Sequence, residues 1–579
     1  MKDFLKYMFA TMCGILLLSS LSMIMFFFSI ISMALSTDTE TKIDKHSVYR
    51  IYLKGELVEQ ADNDPTMAAL AKLSKRDLPE KLGLDDLLHN IRLAKENKNI
   101  DGIYLEGGTL SAGFASREEL RRALLDFKQS GKFIVAYADQ YSQGNYWLAS
   151  VADKVCLNAH GSLSWSGLSA NLMFYTRALQ KLGVEMQVVK VGTFKSAVEP
   201  YMLTKMSEPN RLQMNVMLED MWRVVTKEVS ESRNIPVEEL NRLADMNMSF
   251  QPEEKLVEYG LIDTLMYQQD VKPIMVALTG SDDYKFVSHN TMLALSDDKK
   301  SEKDKIAIIY AEGEITDSEG KGIVGKDMVK LINKIAKKDE VKAVVLRVNS
   351  PGGSAYASEQ IWHALSLLKE KKPLVVSMSD YAASGGYYIS CVADSILAEP
   401  TTLTGSIGIF GLIPSFAGLA DKVGIDFDGV GTNRLSLTES NMVCKGMNAE
   451  ERELMQGHIN RGYELFVKRC ADGRSMTSEQ IKQIAEGRVW SGTRAIEIGL
   501  VDAIGNVEDA VKAAASLAQI DKYEVINADE TEDDFLHTLM EIYGLDNNDQ
   551  ELIREYKTLR RLAEKPSLQA RMPYSITVK

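Results

Sequence analysis

The hydrophobic and polar positions of this chain follow two rhythms. Strand-like apolar runs recur at "VYRIYL" (48–53), "IAIIYAEGEI" (306–315), "VKAVVLRV" (341–348) and "PLVVSM" (373–378). Between the last two, "SEQIWHALSLLKEK" (358–371) places its apolar residues at helical spacing. Strand, helix, strand at this interval predicts a right-handed crossover and a mainly parallel α/β sheet. A helix is predicted to start near Ser384 and run through "GGYYISCVA", and a longer one over 448–472. His363 falls inside the apolar pattern of its helix and reads as a packing residue.

One run is of another kind. Tyr7 to Leu35 carries no charge, long enough to cross a bilayer as a helix. Lys2 and Lys6 precede it, which favours a cytoplasmic N-terminus. A cleaved leader would have a shorter apolar region, although "SMA" at 32–34 could pass for a weak cleavage site. The expectation is a single-pass anchor in the cytoplasmic membrane, with the body outside the cytoplasm.

Behind the anchor the chain repeats itself. "WLASVADKV" (147–155) returns as "YISCVADSI" (388–396), and Asp394 stands 241 residues after Asp153. "EYGLID" (258–263) returns as "EIGLVD" (497–502), with Gly499 following Gly260 by 239 residues. The expected organisation is an anchor segment (1–36), a linker (37–47), one α/β repeat (48–294), a polar linker (295–305), a second α/β repeat (306–547) and a charged, helix-patterned tail (548–579).

Composition narrows the function. Hydrophobic residues make up 45% of the 579 and charged ones 26%, an ordinary globular profile. A net charge of −14 argues against a general nucleic-acid partner. The five cysteines are scattered without a C-x-x-C, so they suggest neither a zinc site nor a redox pair.

The chemistry concentrates in "SDYAASGGYY" (379–388). Ser384 follows a strand and precedes a helix, where unpaired amides and a partial positive charge face it. Gly385 and Gly353, the latter in "NSPGGS" (349–354), would offer amide donors on the same sheet edge. Taken alone, Ser384 reads as well as a helix N-cap. None of the seven histidines stands in a triad-like context. A lysine could serve as base if burial depressed its pKa from about 10.4. Lys195, in "VVKVGTFKSAVEPY" (188–201), sits in an apolar setting, but an ordinary surface lysine is the commoner explanation. The repeat changes the weighing. Lys195 aligns with Arg434, and Ser384 aligns with Gln143. One half keeps a lysine, the other a serine, as though a duplicated enzyme shared one site between its halves.

Together "LRVNSPGGS", "AASGGYY", "TGSIGI" (404–409), "GTFKSAVEPY" and "GRVWSGTRAIEIGLVDAIG" resemble the signal peptide peptidase A family in its long, two-repeat form. The likeness covers residues 48–520 and the anchor. It implies a ClpP/crotonase-like fold in each repeat and a Ser/Lys serine endopeptidase. By this resemblance Ser384 is the nucleophile, Lys195 the general base and Ser406 the residue that orients the lysine. Gly353 and Gly385 supply the oxyanion amides. Phe194 departs from the tyrosine expected beside the lysine, without touching that chemistry. A lysine base predicts activity that rises on the alkaline side and no need for metal or cofactor; the resemblance further implies hydrophobic signal peptides as substrates and a homo-oligomer, a tetramer for two-repeat chains. A crotonase-type acyl-transfer enzyme and a catalytically silent membrane scaffold are the alternatives.

Overall fold

The computed structural model describes residues 42–61, 81–295, 302–318, 320, 322–528 and 569–571, with Tyr7, Gly14 and Leu18 alone from the N-terminal run. The expected anchor otherwise lies outside the described residues. Among those described, no helix is long and apolar enough to cross a membrane.

Two parallel sheets form the body, one from each repeat. In the first, strands Ser47–Val58, Ile100–Ser111, Phe133–Tyr141, Lys154–Leu163 and Thr264–Leu265 lie side by side in chain order. In the second, Lys305–Glu312, Val341–Ser350, Leu374–Ala383, Ser395–Ala398 and Ala503–Ile504 repeat that order. Val341–Ser350 is buried along almost its whole length, because helices cover both faces of a parallel sheet and leave no polar side to alternate with. Its return helix, Ala355–Lys369, begins where the Ser354 hydroxyl accepts from the Ala357 amide. The long helix expected over 448–472 spans Ala449–Arg474, opened by reciprocal bonds between Asn448 and Glu451.

The aspartates that mark the repeat prove structural. Asp153 accepts the Ile134 amide and Asp394 the Leu374 amide, at 2.8 and 2.9 Å. Asp263 accepts from Val155 and Asp502 from Ile396, at 2.7 and 2.8 Å, and Arg233 and Arg474 pair with them in turn. The same strand ends are pinned by the same side chains in both halves.

A third sheet joins the halves. Phe410–Ser415 of the second repeat pairs antiparallel with Glu185–Lys190 of the first. In the tail expected to be helical, the described residues Gln569–Arg571 are instead a strand, antiparallel to Gly352–Ser354. A buried ionic seam adds to the junction. Arg347 meets Glu59 and Glu119 at 2.7 Å each, all three nearly inaccessible. Asp380 accepts from the Ser116 amide and hydroxyl, and Asp220 pairs with Arg494 at 2.6 Å. These contacts fix how Glu59 and the first repeat's helices Phe114–Lys128 and Glu208–Arg233 meet the second repeat.

Candidate active site

Ser384 ends the Leu374–Ala383 strand in a sharp turn. Its φ is +57° and its ψ −114°, a conformation costly for any residue with a Cβ. The turn is held by the Ser384 amide donating to the Gly405 carbonyl at 2.8 Å, and by the Tyr388 amide donating back to the Ser384 carbonyl at 2.9 Å. The following helix, Gly385–Ser390, is shorter than predicted, ending at Ser390. The Ser384 side chain makes no capping bond to it, so the N-cap explanation of this serine fails.

Its hydroxyl faces the first repeat instead. Lys195 Nζ lies 2.8 Å from Ser384 Oγ. Nζ also donates to the Ser406 carbonyl and to Ser406 Oγ, each at 3.0 Å. All three residues are fully buried. Among the described residues no carboxylate acts on the ammonium. Burial alone holds the Lys195 pKa well below the ordinary lysine range. Ser406, with φ +52°, turns both its hydroxyl and its carbonyl to the amine. The carbonyl is an acceptor that the motif alone gave no reason to expect.

Gly353 and Gly385 come together on the far side of Ser384. A Cβ on Gly385 would stand 3.1 Å from the Gly353 amide nitrogen and 2.7 Å from Ser358 Oγ, so the two backbones approach as only glycine permits. His363, read as packing, is exposed on its helix. Among the described residues no histidine hydrogen-bonds to Ser384, and no group of three or more His, Cys, Asp or Glu could hold a metal ion.

Other residues build the lysine's slot. A Cβ on Gly487 would lie 2.6 Å from Lys195 Cβ and 2.7 Å from its Cα, and one on Gly408 would lie 3.3 Å from Lys195 Cδ. The lysine stem is thus sandwiched between two glycines of the other repeat. Gln213 donates to the Phe194 carbonyl and Ser196 Oγ on either side of Lys195, and accepts from the Val489 amide across the junction. Arg488 stacks over the ring of Phe194. Gly487 was visible only as part of "GRVWSG", and nothing in the sequence marked Gln213. Gly487 also has φ +75°, so Gly487→Ala meets both a strained backbone and a collision with Lys195. If the slot positions the amine, kcat falls by about 10²-fold in this variant, the scale of an ångström's misplacement. KM should change little, and steady-state kinetics on a hydrophobic peptide checks both.

The first repeat carries no matching pair. Gln143, at the place of Ser384, accepts from the amides of Ser166 and Gly167. Trp165 is buried at the place of Ser406. Arg434, at the place of Lys195, is exposed and paired with Glu450.

Comparisons with known proteins agree with the twofold organisation. The model of peptidase family S49 matches residues 126–280 and again 366–521. Protease 4 of Haemophilus influenzae is 34% identical over 521 residues, covering 86% of this chain and 83% of that protein. Protease 4 of Salmonella typhi is 36% identical over 493 residues, covering 82% and 78%. The chloroplastic serine protease SPPA of Arabidopsis thaliana is 31% identical over 495 residues, covering 83% and 70%.

Proposed function

The chain belongs to peptidase family S49, and from that premise we propose that it is a membrane-anchored serine endopeptidase cleaving hydrophobic peptides with a Ser384/Lys195 dyad. Signal peptides left in the membrane after preprotein processing are the proposed substrates. The observation that carries this reading is the 2.8 Å approach of a buried, uncompensated amine to the hydroxyl of a strained serine.

The hydrogen-bond inventory supports it. A neutral amine has two N–H groups and one lone pair. The two donors are taken by the Ser406 carbonyl and hydroxyl, which leaves the lone pair to the Ser384 O–H. In the proposed reaction Lys195 takes the Ser384 proton as Oγ attacks the scissile carbonyl. The amides of Gly353 and Gly385 donate to the developing oxyanion; loss of one such donor costs about 10²–10³ in rate elsewhere. The lysine then protonates the leaving amine, and water releases the acyl group by the reverse sequence. The Gln569–Arg571 strand alongside Gly352–Ser354 supports a peptide as ligand, since it shows that this edge accepts an extended chain. An acyl-transfer enzyme acting on CoA thioesters would give the Lys195–Ser384 approach no role.

A fluorophosphonate probe on the full chain in detergent tests the reading. The expected result is one adduct, mapped to Ser384 by peptide mass and missing from Ser384→Ala, with hydrolysis lost in proportion to labelling. Hydrolysis that survives complete labelling, or persists in Ser384→Ala, would overturn it.

A further inference from the structure

The two glycines of the lysine's slot press on its stem, but they do not set how far along the slot the amine reaches. A lysine side chain is flexible, so the place of Nζ depends also on where the backbone of Lys195 is held. That backbone lies between elements. The strand Glu185–Lys190 ends before it and the helix Glu199–Met202 starts after it. With no ladder of its own, the segment must be fixed by bonds from outside. The Phe194 amide donates to the Glu486 carbonyl at 2.9 Å. The Phe194 carbonyl, in the peptide unit that enters Lys195, accepts from Gln213 Nε2 at 3.0 Å, and Ser196 Oγ accepts from the same nitrogen at 2.8 Å. The Lys195 carbonyl accepts from Lys190 Nζ at a longer 3.3 Å.

Gln213 is buried on the helix Glu208–Arg233 of the first repeat. Its Oε1 accepts from the Val489 amide of the second repeat at 3.3 Å. Val489 is paired with Gly405, whose carbonyl takes the Ser384 amide. Next to it, the Arg488 carbonyl takes the Ser406 amide at 2.7 Å. One side chain thus joins the peptide of the base to the strand that holds both the lysine's acceptor and the anchor of the serine's turn. The task needs an amide. Nε2 faces acceptors, the Phe194 carbonyl and Asn210 Oδ1, while Oε1 faces a donor. A carboxylate has no donor, and an ammonium or guanidinium no acceptor. The orientation is set from behind: Asn210 Nδ2 donates to Glu199 at 2.8 Å, which turns its Oδ1 toward Gln213.

We propose that Gln213 is the positioning residue of the dyad: by clamping the peptide of Lys195 to the Val489 strand, it sets the distance from amine to hydroxyl. The proposal rests on the Ser384/Lys195 reading. Gln213 acts through backbone and touches no reacting atom, so its loss should slow turnover and leave peptide binding alone. The rival account is a bridge that merely joins the repeats. A second buried glutamine separates the two. Gln187, also of the first repeat, donates to the Met442 carbonyl at 2.7 Å and accepts from the Met447 amide of the second. It joins the halves by the same chemistry, but its partners belong neither to the lysine's peptide nor to the serine's turn.

The test compares Gln213→Met with Gln187→Met, each in the full chain in detergent. Both substitutions keep the length of the side chain and remove an amide that bridges the repeats. Gln213→Met should lower kcat by about 10- to 100-fold, up to the scale of an ångström's misplacement. The rate of fluorophosphonate labelling at Ser384 should fall by the same factor, with KM unchanged. Gln187→Met should lower the melting temperature and leave kcat and labelling as in the wild type. Gln213→Glu adds a readout that joining the repeats would not move. Its carboxylate beside the lysine's peptide favours the ammonium, so the midpoint of the rising pH–rate profile should shift to higher pH. Glutamate keeps the residue's size, and this variant carries the test where Gln213→Met does not fold. The proposal is overturned by wild-type kcat in a folded Gln213 variant, by a change confined to KM, or by an equal loss of kcat in Gln187→Met. Failure of the wild type to label at Ser384 would instead overturn the dyad, and this proposal with it. A labelled wild type beside an unaffected Gln213→Met overturns the proposal alone.

Discussion

Replacing Lys195 with methionine is expected to lower kcat by about four orders of magnitude or more, the scale at which removing one member of a catalytic unit acts, and to change how stability depends on pH. The first effect follows from geometry: among the described residues Lys195 is the group hydrogen-bonded to Ser384 Oγ that can take its proton. In the wild type, activity should climb with pH as the ammonium loses its proton, with a midpoint well below the ordinary lysine value, because burial opposes the charge. The second effect follows from linkage. A lysine whose folded pKa lies below its unfolded value of about 10.4 binds fewer protons folded than unfolded in the window between them. Stability there rises with pH, by about 1.4 kcal/mol per pH unit for one proton. Lys195→Met removes that slope, so the variant gains on the wild type as pH falls from about 10 toward the depressed value. The lost bonds to Ser406, about 1 kcal/mol each, shift the comparison equally at every pH and leave the slope untouched. Urea unfolding of both chains across this range, beside their pH–rate profiles, checks the two effects together. Parallel stability curves, or appreciable turnover by the variant at neutral pH, would count against a neutral buried lysine.

The sequence could announce this pair because duplication left an asymmetry. A lysine kept in one half and a serine kept in the other are legible even when neither motif is distinctive. The strands were legible for a simpler reason: a parallel sheet covered on both faces writes itself as unbroken apolar runs, as in 341–348. What stayed hidden depends on the other repeat. "SREELRR" (116–122) has the composition of a solvated helix face, yet Glu118 and Glu119 are buried against Thr401 and Arg347 of the second repeat, while Arg117 and Arg121 are buried on backbone carbonyls of their own repeat. Periodicity within a segment cannot say what lies across a junction. The same holds for the lysine's slot. Gly408 and Gly487 matter through what their missing side chains would strike, and the residue struck belongs to the first repeat. His363 failed as a packing residue because a helix on a sheet keeps one face in water, and the apolar stripe alone did not fix where that face began.

Arg347→Met carries the second large expectation, and it tests whether the ionic seam sets the distance between the repeats. The guanidinium donates from Nε to Glu59 and from one terminal nitrogen to Ser377, and pairs with Glu119, none of them exposed to water. Removing it strands two buried carboxylates, which costs about 3–5 kcal/mol in comparable buried networks. Burial already holds Glu119 at about 8 with the arginine beside it, so its carboxylate tolerates little further loss of positive charge. The deficit should therefore be largest above neutral pH and shrink toward pH 5, where Glu119 is protonated. Converting Glu59 and Glu119 to glutamine in the Arg347→Met background should recover most of the loss, since no buried charge then lacks a partner. Turnover should follow stability: the seam joins the first repeat, which carries Lys195, to the strand beside the one that ends at Ser384. A buried seam that only fills space predicts something else, a single variant costing less than about 1 kcal/mol and a triple variant no better than the single. Denaturation midpoints at pH 5 and pH 8 for the wild type, the single and the triple variant separate the two accounts, and kcat measured on the same preparations shows whether the amine and the hydroxyl have moved apart.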